Sequence, residues 1–373
     1  MSALIQAKDF SQLFINDTAL LDTRAPIEFL QGAFPQAENL PLMSDAERQQ
    51  IGICYKKQGQ QSAVALGHQL VSGDIKQCRL AAWLAFIRRH PDGALYCLRG
   101  GLRSQITQTW IFQASGIDYP RIEGGYKALR RFLMDETTRI MNVITPIVLG
   151  GQTGCGKTLL LKQIQQQIDL EALANHRGSA FGNTTIQQPT QIAFENRLAA
   201  ALMKKQRYSH LIFEDESINI GAVHIPGDVR AKTVQADLVL LEANLETRLS
   251  ISMDAYVINM HQDFISQDSE KGFKHFCDYW LSSLEKIRKR LGLMRYQKLR
   301  IMLIKALHQV QLATRYDGFY PIIETLLTDY YDPMYNHQIA SKQHRIVFRG
   351  EASQVLDYIV WRCGSSDNND QAV

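Results

Sequence analysis

The chain has 373 residues, 45% of them hydrophobic, 21% charged and 9% aromatic, which excludes wholesale disorder, collagen-like repeats and coiled-coil rods. No run of about 18 apolar residues is present, so no membrane partner is expected, and a net charge of +4 does not by itself announce a nucleic-acid binder. Lys8 and Asp9 stand where a secretory leader needs an apolar core, so the expected compartment is the cytoplasm. In that reducing setting the six cysteines are expected to be free. None forms a CxxC pair, so neither zinc nor a thioredoxin-type motif is indicated, and nothing points to haem or flavin.

In chain order, residues 19–22 read as a buried strand, 26–31 as a short helix begun by proline, and 39–42 as an extended piece. Residues 74–90 have helical apolar spacing and stop at Pro91-Asp92-Gly93; 94–97 is a strand and 104–115 a helix. Residues 147–149 are a second buried strand, leading through glycines into a helix expected over 157–168. Strands follow at 210–213 and 238–241, and a mostly helical region spans 254–327. Strands alternating with helices predict parallel α/β sheets. The expected division is 1–140, 141–350 and a C-terminal extension, 351–373, whose end from residue 364 reads as a polar disordered tail.

The segment Tyr96-Cys97-Leu98-Arg99-Gly100-Gly101-Leu102-Arg103-Ser104 places a cysteine between a strand end and a helix start. Backbone N–H groups of such a loop converge on the sulfur or on an anion beside it. The helix N-terminus, Arg99 and Arg103 all favour thiolate, so Cys97 is expected to have a depressed pKa and to be the nucleophile.

These residues carry a resemblance. Leu21-Asp22-Thr23-Arg24, Glu28-Phe29, Gly32, Pro35, Ala37, Asn39 and Pro41 resemble the opening of a rhodanese domain, and Glu123-Gly124-Gly125-Tyr126 resembles its closing turn. Gly32-Ala33-Phe34-Pro35 replaces the Gly-His-Ile-Pro of many rhodaneses, at a histidine that is not catalytic there. The resemblance implies a cysteine that carries transferable sulfur as a persulfide. The spacing of Cys97, Arg103 and Ser104 also matches cysteine-based phosphatases, although Tyr96 stands where tyrosine phosphatases usually have histidine.

Gly151-Gln152-Thr153-Gly154-Cys155-Gly156-Lys157-Thr158 fits the pattern G-x-x-x-x-G-K-[ST] in full. Chance supplies such a match in about one chain in a hundred of this length. The backbone around Gly151, Thr153, Gly154 and Gly156 is expected to surround a diphosphate, with Lys157 on its outer phosphate and the Thr158 hydroxyl on Mg²⁺. Leu211-Ile212-Phe213-Glu214-Asp215-Glu216 reads as the companion acidic strand, with Asp215 first and Glu214 second as the metal-holding carboxylate. Residues 187–189, Glu195, Asn196, Arg230 and Arg248 are weaker candidates for the acceptor side.

Residues 271–300 hold nine Lys/Arg and two acids, a local balance of +7 in a chain that otherwise nets −3. Leu284, Ile287, Leu291 and Met294 are expected to form the buried stripe of one helix. Lys286, Arg288, Lys289, Arg290, Arg295, Lys298 and Arg300 then face outward, either as a solvated face or as a track for RNA phosphates with Tyr296 available to stack.

With His176-Arg177-Gly178-Ser179 and Phe213-Glu214-Asp215-Glu216-Ser217, the two halves together resemble the tRNA 2-selenouridine synthase family from about residue 9 to 348. That resemblance implies a rhodanese-like parallel-sheet domain followed by a P-loop NTPase-like α/β domain with a helical, basic addition. It implies a transferase acting on tRNA that carries 2-thiouridine at the wobble position. The sulfur is first alkylated from geranyl diphosphate. Selenium from selenophosphate, which a partner enzyme would supply, then replaces it. Cys97 would accept selenium as a selenosulfide. Two other classes fit the residues alone: a cysteine-dependent phosphatase fused to a kinase, and a nucleotide-controlled RNA-binding protein.

Overall fold

The computed structural model describes residues 3–367. It divides into two compact units. The first takes the chain to Asn142 together with Pro189–Gln206; the second takes Val143–Gln188 and the chain from Arg207.

The first unit is built on a five-stranded parallel sheet: β1 (Leu4–Ile5), β2 (Leu20–Asp22), β3 (Ala37–Asn39), β4 (Ala94–Tyr96) and β5 (Arg121–Ile122), in spatial order β1-β5-β4-β2-β3. Every residue of β2 and β4 is buried, as expected for central parallel strands covered on both faces. The helix Gly73–Arg89 buries Trp83, Phe86 and Ile87 on one face, and the helix Leu102–Ser115 buries Trp110 and Ile111. A helix over Asp45–Leu70, unassigned by the sequence reading, is broken at Gly59 (φ 82°, ψ −176°). The helix Gln191–Lys204 also belongs to this unit, where Asn196 accepts from Arg130 at 2.9 Å and Glu195 pairs with the same arginine. Glu195 and Asn196 are therefore engaged with Arg130 inside the first unit, whereas the phosphate loop belongs to the second.

The opening motif forms a buried polar network. Arg24 Nη2 donates to Asp22 Oδ2 at 2.7 Å, and the Tyr96 hydroxyl donates to the same oxygen at 2.7 Å. Arg24 also donates to the Gly32 carbonyl and lies over the Tyr126 ring at 3.7 Å. Both members of the ion pair are at most 2% exposed. Deleting one leaves an uncompensated buried charge, so Asp22→Ala is expected to lose about 3–5 kcal/mol in urea unfolding. A loss under about 1 kcal/mol would contradict this account.

The second unit has a five-stranded parallel sheet in spatial order β12-β11-β6-β8-β7. Its strands are β6 (Thr145–Gly151), β7 (Gln167–Ile168), β8 (His210–Glu214), β11 (Asp237–Leu241) and β12 (Ile346–Gly350); the antiparallel ribbon β9 (Asn219–Ile220) and β10 (Val223–His224) stands apart. The helix expected over 157–168 ends at Leu161, and Gln167–Ile168 pairs with β8 instead. Leu160, Leu161, Ile164 and Ile168 are all buried, so their helix-like spacing is core demand met by a turn and an edge strand.

The basic segment is likewise not one helix. Gly292, at φ 84° and ψ 150°, separates the helices Gly272–Leu291 and Leu293–Ala313. Leu284, Ile287 and Leu291 are buried as expected, but Met294, beyond the break, is 84% exposed. At the C-terminus the helix Ala352–Asp367 includes Gly364–Asp367, so those four residues are not a tail; residues 368–373 lie outside the described residues.

Candidate functional site

In the first unit, Cys97 follows β4 directly, and the helix Leu102–Ser115 begins four residues after it, at the N-cap Gly101. The closing turn packs on this loop: the Tyr126 N–H donates to the Cys97 carbonyl at 2.8 Å, and that of Lys127 to Leu98 at 3.1 Å. Gly100 (φ 64°) admits this approach, since a Cβ there would lie 2.7 Å from the Gly124 nitrogen. Cys97 is 3% exposed; its Sγ lies 3.3 Å from Ser104 Oγ, which itself donates to the Gly101 carbonyl at 2.9 Å.

The two arginines differ. Arg99 is exposed on the loop. Arg103, expected with Arg99 to favour the thiolate, gives its guanidinium to Glu28 in a two-bond contact of 2.6 and 3.2 Å. Burial opposes ionisation of Glu28, but the Arg103 hydrogen bond and charge, helped by the Ala25 N–H and Arg48, outweigh it and hold the carboxyl below its usual range. Arg103 is thus a positioning residue for the loop. Cys97, Arg99 and Arg103 share the wall of a cavity of about 630 Å³.

In the second unit, the loop after β6 runs into the helix Lys157–Leu161 through Gly154 (φ 81°) and Gly156 (φ 93°). A Cβ on Gly154 would lie 2.8 Å from the Arg248 carbonyl oxygen. Arg248 is buried; its Nε donates to the Thr153 carbonyl at 3.0 Å and its other nitrogens hold Asp332 at 2.6 and 3.0 Å, so it braces the loop rather than meeting an acceptor. Arg230 is likewise committed, to the Glu216 carbonyl at 3.0 Å. Lys157 Nζ donates to the Gly151 carbonyl at 2.9 Å. Burial works against its charge, but Cys155 and the carboxyl groups of Glu171, Glu216 and Glu214 outweigh it and raise its pKa above the usual lysine value.

The acidic strand end differs from expectation. Glu214 is 2% exposed and turned away from the loop: Oε2 accepts the Glu171 N–H at 3.0 Å and Oε1 is buried without a partner. Burial, then Glu171 and Asp169, push its pKa well up, and it is packed against Glu171 rather than lining the phosphate-loop cavity. Asp215 does reach the phosphate-loop cavity, but in an ion pair with Lys342 at 2.7 Å. The carboxyl groups facing Lys157 are Glu171 and Glu216, neither of which the sequence reading assigned to the site. Gly178 of the His176–Ser179 stretch approaches Glu216 and Glu171 so closely that a Cβ would collide with both.

Burial first, then Glu216, push Glu171 up to about 8 against the pull of Lys157. Its folded-state pKa exceeds its unfolded value, so the folded protein holds this proton longer. Its stabilising contribution is complete below about pH 4.5 and fades as pH rises toward 8. Glu171→Gln is expected to flatten the fall in Tm between pH 5 and pH 8; an unchanged slope would refute this assignment.

The cavity in front of the loop measures about 1220 Å³ and is lined by Gly151, Thr153, Gly154, Gly156, Lys157 and Thr158 on one side and by Glu171, Asp215 and Glu216 on another. Among the described residues no group of three or more His, Cys, Asp or Glu is gathered as a metal site. Mg²⁺ keeps most of its waters and needs only one or two protein ligands; Thr158 and Asp215 both line this cavity, Asp215 in its ion pair with Lys342.

All seven cations expected to track RNA are exposed, four before the Gly292 break (Lys286, Arg288, Lys289, Arg290) and three after it (Arg295, Lys298, Arg300). Arg290 lines the phosphate-loop cavity, and Lys286, one turn earlier, lies close enough to depress the His176 pKa together with burial. Arg288 pairs with Glu285 at 3.0 Å and Arg295 with Asp329 at 3.4 Å. The Tyr296 hydroxyl donates to Glu285, so that ring is partly committed.

A phosphate loop on one parallel sheet and a glycine-flanked cysteine on another define an α/β enzyme of the P-loop class with an added cysteine-bearing unit. The sequence model described as the tRNA 2-selenouridine synthase AAA domain matches residues 144–364. A protein from Marinobacter nauticus named tRNA 2-selenouridine synthase is 48% identical over 361 residues, covering 96% of this chain and 98% of its own length. Relatives of the same name from Pseudomonas fluorescens and Sulfurovum sp. are 48% and 46% identical, covering 95% and 96% of this chain and 98% and 99% of their own lengths. The chain belongs to the tRNA 2-selenouridine synthase family, a family of tRNA-modifying transferases.

Proposed function

We propose that this protein converts 2-thiouridine at the tRNA wobble position to 2-selenouridine in two steps, one at each loop. What carries the reading is the identity of about 48% to proteins named for that product along nearly the whole chain. In the first step the thiocarbonyl sulfur attacks C1 of geranyl diphosphate; the C–O bond breaks, diphosphate leaves with the electron pair, and the N3 proton of the nucleobase is released to solvent. The phosphate loop and Lys157 bind the departing diphosphate, which supplies charge stabilisation where charge develops. Thr158 and Asp215 would hold a hydrated Mg²⁺, whose contribution is further neutralisation of the diphosphate. In the second step selenium derived from selenophosphate replaces the alkylated sulfur, a better leaving group than the thiocarbonyl, and Cys97 serves this step. The loop N–H groups and Arg99 favour the selenophosphate anion. A partner enzyme would supply it.

The deciding experiment incubates the protein with thiolated tRNA, geranyl diphosphate and selenophosphate and identifies the wobble nucleoside by mass spectrometry. Formation of 2-selenouridine through S-geranyl-2-thiouridine is expected. ATP turnover with a small phosphorylated product would instead establish a phosphatase–kinase fusion, and absence of any modified nucleoside an RNA-binding role.

The exposed cations on either side of Gly292 are assigned to the tRNA backbone. Replacing Lys286, Lys289, Lys298 and Arg300 by Gln is expected to weaken tRNA binding and to reduce the slope of log affinity against log salt by about three. Thiolated and unthiolated tRNA should weaken alike, because phosphates carry no base information. Superimposable salt curves for wild type and variant would leave this surface a solvated face.

A further inference from the structure

The cavity beside Cys97 has the wrong chemistry for selenophosphate alone. Its floor is polar, made by the cysteine loop with Arg99 and Arg103, but its walls are mostly hydrocarbon, with Tyr55, Gln60 and His68 the polar side chains among them. Leu42 comes from the segment after β3, Ile51 and Val64 from the broken helix, Val71 from that helix's C-cap, and Ile106 and Trp110 from the helix that follows the cysteine. A small trianion draws nothing from such walls, which exclude the water that would otherwise solvate it. The break at Gly59 gives the cavity its shape. Its backbone leaves the helical region there, so the arms before and after it, which supply Ile51 and Val64, both line one space. Gly67 borders the same space, where a Cβ would make only ordinary contact with Ile51 Cδ1, at 3.5 Å. The volume of about 630 Å³ falls in the range that takes a drug-sized organic ligand.

We propose that this cavity binds the prenyl chain of the S-alkylated wobble nucleoside while selenium enters at C2, so that the Cys97 unit selects its substrate by the leaving group's hydrocarbon. The inference rests on the two-step reading above and adds where the chain sits in the second step. In the displacement, selenium at the selenide level adds to C2 of the nucleobase. The C2–S bond breaks and its electron pair leaves with the prenylthiolate, while the proton brought by selenium passes to N3; no oxidant or reductant is required. Hydrolysis of the P–Se bond of selenophosphate supplies selenium at that level, with phosphate as the other product. An apolar site for the departing chain makes remote binding energy available at the reacting centre, and a hydrocarbon wall accepts the ten-carbon chain and gives little to a methyl group.

The test uses the full-length protein, selenophosphate, and anticodon stem-loops carrying 2-thiouridine, S-methyl-, S-geranyl- or S-farnesyl-2-thiouridine, with initial selenation rates read by mass spectrometry. Wild type is expected to selenate the S-geranyl substrate at least about ten-fold faster than the S-methyl one. Val64→Trp, which fills the cavity, should bring that ratio near one. Ile51→Ala, which enlarges it, should raise the farnesyl rate relative to geranyl. This second variant decides the matter if Val64→Trp fails to fold. A wild-type ratio near one, or a chain-length preference unmoved by the variants that fold, overturns the proposal. If the unalkylated stem-loop is selenated as fast as the geranylated one, the two-step reading itself fails. If only the geranylated one reacts but the profile is unmoved, this inference alone fails.

Discussion

Cys97→Ala is expected to leave tRNA geranylated and unselenated. The residue directly follows β4, its carbonyl accepts the Tyr126 N–H of the closing turn, and its Sγ lies near Ser104 in the first turn of the next helix. Removing a side chain on which a step depends commonly costs about 10⁴-fold or more. The loss should fall on selenium entry alone, because the phosphate loop is held by contacts of its own to Arg248, Leu241 and Ser252. Mass spectrometry of the wobble nucleoside should show S-geranyl-2-thiouridine accumulating. Selenouridine at the wild-type level would remove Cys97 from the chemistry.

Lys157→Ala should have the complementary effect, a fall of about 10²–10³-fold in geranyl transfer with selenation of pre-geranylated tRNA retained. Lys157 lines the cavity from the start of the helix Lys157–Leu161, and its pKa is raised above the usual lysine value against the opposing effect of burial. Losing it also removes the positive charge that restrains the protonation of Glu171 and Glu216, so these acids should bind protons more firmly still. Lys157→Met, which retains the stem, separates packing from charge. Normal geranyl transfer in both variants would assign the loop to another ligand.

What could be read without a structure was whatever depends on near neighbours in the chain. The cysteine loop and the phosphate loop each occupy fewer than ten consecutive residues, and their glycines, cations and nucleophile act through backbone conformations that those residues dictate locally. The buried strands were equally legible, because central parallel strands are continuous apolar runs.

What the sequence could not decide was which distant groups those loops would meet. Arg103 is neutralised by Glu28, 75 residues away, and Asp215 by Lys342, 127 residues away. Glu171 and Glu216 rather than Glu214 face Lys157, because the Glu214 side chain is turned back to accept the Glu171 N–H. The helix expected over 157–168 stops early because β8 offers Gln167–Ile168 a ladder, and the basic helix breaks where Gly292 takes a positive φ. Local pattern determined that there would be a cysteine loop and a phosphate-loop motif. Only tertiary structure decided their charge state, their partners and the hydrocarbon cavity beside the cysteine, because ion pairing, desolvation and packing act between groups that the chain alone does not bring together.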